Sequence, residues 1–198
     1  MAYIDEFLLI AIAHFFAVAS PGPDFAVVLK QSVQYGRHNA LWTSAGVGAA
    51  ILLHIAYCVL GVALVLTQSP SLFMALKYIA GAYLAYLGVQ ALRAAKPSNT
   101  ANNEQIKPSL AAESSWHAFR RGFFTNALNP KATLFFMSLF TLVISPTTPV
   151  IVQVGYGVYM ALATWAWFSI FCYCYQKHGC VTFFNKVVIG SIAALALF

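Results

Sequence analysis

Charge is what this sequence most lacks. Of its 198 residues, 61% are hydrophobic, 8% are charged and only five are acidic. A soluble domain carries about 25% charged residues, so a single water-soluble core is excluded. Cysteine is sparse too. Cys58, Cys172, Cys174 and Cys180 form no CxxC and no zinc-site spacing, and they read as small buried hydrophobes. No Ser or Cys has an evident base partner for nucleophilic chemistry, which argues against an enzyme. The five histidines are scattered, so a metal site is not expected.

What the chain has is long apolar runs, at about residues 7–29, 40–66, 70–92, 118–145, 149–175 and 181–198. Each approaches or reaches the ~17–25 residues that a membrane-spanning helix requires. The expected fold is therefore an all-α integral membrane protein of six transmembrane helices. Residues 7–19 imitate a signal peptide, but the preceding MAYIDE has no Lys or Arg, so 7–29 reads as the first span.

The net charge of +6 is a topology signal and not a nucleic-acid footprint. Lys30, Arg37, Arg93, Lys96, Lys107, Arg120, Arg121, Lys177 and Lys186 fall around alternate separators, whereas TQSP and SPTTP carry no basic residue. The positive-inside rule makes the basic side cytoplasmic and puts both termini outside.

The spans divide into two halves, residues 1–93 and 118–198, joined by a polar cytoplasmic linker at 94–117. At an offset of 109 residues, Pro21 meets Pro130, Gly46 and Gly48 meet Gly155 and Gly157, and Lys77 and Gly81 meet Lys186 and Gly190. Three spans per half is an odd number, so the halves enter the membrane in opposite senses. Such inverted repeats serve alternating access in many secondary transporters.

Two matched interruptions carry the chemistry: Pro21-Gly22-Pro23-Asp24 in the first span, and Asn126 with Asn129-Pro130-Lys131 in the fourth. Proline breaks a helix and frees backbone donors and acceptors, which the membrane interior tolerates only where protein or water satisfies them. Freed N–H and C=O groups beside one carboxylate and one ammonium complement a zwitterionic amino acid. The competing reading is that Asp24 and Lys131 pair with each other and the prolines merely kink packed helices. An imidazole in a span relays protons or packs through a hydrogen bond, and both remain open for His14 and His54. Gly46, Gly48, Gly155 and Gly157 read as sites of close helix approach or as backbone contacts to substrate.

The PGPD of span 1, the Gly36–Gly46 run, SPSLF-x-x-LKYIAGAYLAYLG and FRRGFFTNALNPKATLFF together resemble the LysE/RhtB family of amino-acid exporters. The form His14-x5-Ser20-PGPD resembles its threonine- and homoserine-exporting branch. The resemblance implies a multi-pass protein of the bacterial inner membrane that exports amino acids or derivatives such as threonine, homoserine or homoserine lactone. It implies proton antiport as the energy source, no cofactor, and an amino acid and the lipid bilayer as partners, with a homo-oligomer possible. It also carries Pro21, Gly22, Pro23, Asp24, Asn129, Pro130 and Lys131 as motif positions. The C-terminal FCYCYQKHGCVTFFNKVV departs from the family pattern, leaving a degenerate, non-transporting protein as one alternative. A metal-ion exporter of the same superfamily is the other.

Overall fold

The computed structural model describes residues 2–94, 113–145 and 147–178. Every regular element among them is an α-helix: α1 (Ala2–Ala19), α2 (Pro23–Gln68), α3 (Pro70–Ala94), α4 (Ser115–Ala127), α5 (Pro130–Leu142) and α6 (Val150–His178). Two of these, over Pro23–Gly61 and Val150–Tyr175, are long and apolar enough to cross a membrane.

These six helices are not the six expected spans. The first expected span is α1 plus the start of α2, divided by a break at Ser20–Gly22. The fourth is α4 plus α5, divided at Leu128–Asn129. Residues 30–39, expected as a polar separator, are helical on either side of Gly36, whose backbone (φ 81°, ψ 178°) interrupts α2. That conformation is open essentially to glycine alone. One residue therefore turns the chain where a loop was expected. Three of the segment's polar side chains, Gln31, Ser32 and Asn39, are buried, while Lys30, Arg37 and His38 stay exposed. The Asn39 amide donates to the Glu113 carbonyl at 2.9 Å. The expected sixth span, Lys186, Gly190 and most of the 94–117 linker lie outside the described residues. At its far end the linker is shorter than expected, since α4 starts at Ser115, with Ser114 as N-cap accepting from His117 N.

Packing centres on α2. Its second arm meets α4 at very close range: a Cβ on Gly46 would lie 2.0 Å from the Phe119 carbonyl oxygen, and one on Gly122 would lie 2.0 Å from that of Thr43. Thr43 Oγ1 also donates to the Ala118 carbonyl at 3.1 Å. Small residues at such crossings let helix backbones touch. Ile10, Ile51, Phe135, Leu139 and Met160 form a core from α1, α2, α5 and α6. Val28, Ala40, Val47 and Phe168 form a second, joining both arms of α2 to α6. On the outside, Ile4, Leu60, Tyr78, Ile151 and Ile170 are each more than 60% exposed. So large an apolar surface suits lipid rather than water.

A buried carboxylate ties one end of the molecule together. Glu6 of α1 accepts from Ser145 N (3.0 Å) and Thr148 Oγ1 (2.9 Å) in the α5–α6 connection, and lies 3.2 Å from the Tyr156 hydroxyl.

Candidate functional site

Both helix breaks arise from proline at the first helical position, where its missing N–H costs nothing. Pro23 opens α2 and Pro130 opens α5. In each case the next residue is charged: Asp24 after Pro23, Lys131 after Pro130. The helix starts are thus 107 residues apart, two fewer than the offset that aligned Pro21 with Pro130. Pro21 sits within the first break rather than at a helix start.

Each charged side chain reaches into the other break. Asp24 Oδ2 accepts from the side-chain amides of Asn126 (3.0 Å) and Asn129 (3.2 Å), at the end of α4 and the cap of α5. Lys131 Nζ donates to the carbonyl oxygens of Ser20 (3.2 Å) and Pro21 (3.4 Å), just beyond the end of α1. Those carbonyls have lost their helical partners and carry the negative end of the α1 dipole. Asn129 does two jobs, since its Oδ1 also accepts from Lys131 N at 3.0 Å and caps α5. Gly22 lies against the lysine: a Cβ there would stand 3.5 Å from Nζ, in ordinary van der Waals contact.

Asp24 and Lys131 form no direct ion pair among the described residues, where the one such pair joins Arg121 and Glu113. They share a wall of one cavity of about 50 Å³, with room for water but not, as it stands, for an amino acid. Phe25, Ile51, Phe135, Phe136 and Phe168 make much of its lining apolar, and His14 and Thr164 add polar groups.

Of the two span histidines, His14 lines this cavity and bonds to Thr164 Oγ1 of α6 at 3.0 Å. His54 lies behind it and is fully buried. Its Nε2 is 3.1 Å from the Asn126 carbonyl oxygen, an atom that can only accept, so Nε2 carries the proton and Nδ1 receives the Tyr57 hydroxyl. Tyr83 of α3 donates to the Lys131 carbonyl at 2.9 Å. The glycines divide. Gly46, Gly48 and Gly157 meet neighbouring helices at Phe119, Ala161 and Ile55, whereas Gly155 faces open space; none of the four lines the cavity. Among the described residues, no three His, Cys, Asp or Glu side chains gather as metal ligands would.

Sequence reasoning overlooked the Ser20 carbonyl, Thr164 and Gly122. The first is a backbone atom and leaves no sequence signal. Thr164 is one polar residue in an apolar helix, and Gly122 stands among the Arg and Phe residues that dominate its motif.

An all-helical, lipid-suited protein with two proline-opened breaks facing each other belongs among membrane transporters by class. Residues 15–184 match the LysE type translocator model, and the chain belongs to that family. It is 29% identical over 164 residues to the threonine efflux protein of Escherichia coli strain K12, covering 83% of this chain and 79% of that one. It is 36% identical over 161 residues to the leucine efflux protein of Salmonella typhimurium, covering 80% of this chain and 70% of that one. No solved structure matches.

Proposed function

We propose that this protein exports neutral amino acids across the bacterial inner membrane, with the paired helix breaks as the binding site. The observation that carries the reading is the reciprocal seating of Asp24 and Lys131. The site holds a carboxylate on amide donors and an ammonium on carbonyl acceptors. A bound zwitterion requires the same two sets of partners, so substrate exchanges charge partners with the protein and leaves no ion uncompensated. Efflux-named relatives support the direction of transport.

The aromatic walls favour an apolar side chain of the leucine type. Threonine and homoserine, which the sequence form resembles, would have to use His14 and Thr164 as polar partners. Proton antiport and alternating access of two inverted halves complete the proposal, with both termini outside and the basic loops in the cytoplasm. Cells producing the protein should release more of one neutral amino acid in a panel of all twenty plus homoserine. Unchanged release across the panel, with the protein present in the membrane, would refute the reading.

A further inference from the structure

We propose that Asp24 Oδ1 and Asn126 Oδ1 together form the seat of the substrate's ammonium group; this rests on the export reading above and adds its polarity. Both oxygens are buried and have no hydrogen-bond partner among the described residues. Asn126 is 4% exposed, and both residues line the cavity.

The orientation of the Asn126 amide is fixed by its neighbour. Asp24 Oδ2 is a carboxylate oxygen that can only accept, so Nδ2 must face it. Oδ1 is thereby left as an acceptor without a hydrogen bond among the described residues, although the His54 imidazole that holds the Asn126 carbonyl lies near it. The second Asn behaves differently: Asn129 also donates to Asp24, but its Oδ1 is used by Lys131 N. Two orphan acceptors, one of them anionic, therefore belong to residues that are themselves bonded together.

A buried acceptor without a donor costs about 1–3 kcal/mol, more when it is charged. A ligand hydroxyl has one hydrogen and satisfies one acceptor. An ammonium has three N–H donors and a positive charge, so it satisfies both oxygens and neutralises Asp24. Lys131 does not fill this role, because its Nζ is held by Ser20 and Pro21. It is free to leave those carbonyls for the substrate carboxylate. The ligand class is a primary ammonium, with the carboxylate directed to Lys131.

The test is equilibrium binding to the purified full chain in detergent, which is independent of flux. The probes are leucine, leucinol (no carboxylate) and 2-hydroxy-4-methylpentanoate (no ammonium), with threonine as a second amino acid. Leucinol should bind measurably, and the hydroxy acid should bind at least tenfold more weakly than leucine. Asn126→Ala should reduce that discrimination at least tenfold. Asn129→Ala, which removes a donor to Asp24 but no orphan acceptor, should weaken the ligands alike and preserve the ratio. A hydroxy acid that binds as well as leucine overturns the assignment, as does an equal loss of discrimination in the two variants. The three wild-type affinities decide the matter if Asn126→Ala does not insert. Discriminating binding without any efflux would instead sink the export reading and leave the ammonium seat standing. Failure of both amino acids to bind sinks the seat.

Discussion

Lys131 Nζ and the Ser20 carbonyl oxygen lie 3.2 Å apart across 111 residues of sequence. The lysine thus closes the end of α1 and makes no ion pair with Asp24, although both line one cavity and their opposite charges attract across it. Each charge has its own cradle, built from the opposite helix break.

Independent cradles make a definite prediction about charge swaps. Asp24→Asn and Lys131→Ala should each reduce amino-acid efflux at least 100-fold with membrane levels retained. In a simple ion pair, the reversed Asp24→Lys/Lys131→Asp protein would recover function. Here it should not, because Asn129, whose oxygen caps α5, keeps an amide donor toward position 24, and an aspartate at 131 would face carbonyls. An efflux assay with immunodetection of membrane protein checks this, and recovery in the double variant would contradict the geometry.

The α2–α4 crossing should be intolerant of a single methyl group. Gly122→Ala and Gly46→Ala each drive a Cβ to 2.0 Å from a backbone oxygen, and rigid backbone cannot step aside as a side chain would. Overpacking of this kind costs about 1–3 kcal/mol or more. Both variants should melt lower in detergent or fail to accumulate. Gly155→Ala, with no described residue within 4 Å, should melt as the parent does or slightly higher.

Glu6 should matter for stability out of proportion to its place near the N-terminus. Glu6→Ala leaves the Thr148 hydroxyl and Ser145 N–H without their acceptor, at about 1–3 kcal/mol each where buried. Thermal unfolding of the purified protein should show a fall in midpoint of several degrees. Glu6→Gln keeps an acceptor oxygen and should fall less.

His54 is placed to brace the end of α4 at the second break. Its ring stacks on Phe136, with centroids 5.2 Å apart and planes 16° apart. His54→Phe should therefore keep the packing and lose the donor to the Asn126 carbonyl together with the acceptor for the Tyr57 hydroxyl. The expected result is an apparent KM for efflux raised about tenfold at normal membrane abundance. An unchanged KM would show that Asn126 is held adequately by its other contacts.

The positions of both helix breaks were legible because proline and charge stand out in an apolar run. Pro23-Asp24 and Pro130-Lys131 announce themselves by composition alone. Their partners were less legible, because a partner depends on how helices rotate against one another. Nothing in a linear reading brings His54 to the Asn126 carbonyl, or the Ser20 carbonyl to Lys131. Glu6 entered the reading only as an acidic residue where a signal peptide would be basic, yet it binds a loop about 140 residues away. Residues 30–39 misled for a related reason. A polar segment looks like a loop from its composition, but Gln31 and Asn39 are polar and buried, and one glycine does the turning.

That glycine has a mechanical consequence. The arm of α2 before Gly36 carries Asp24, and the arm after it carries His54. Both grip Asn126, one through its side chain and one through its backbone. The two arms therefore act as the jaws of tongs with Gly36 as the pivot and the end of α4 between them. A change of angle at the pivot would thus shift one grip on Asn126 relative to the other.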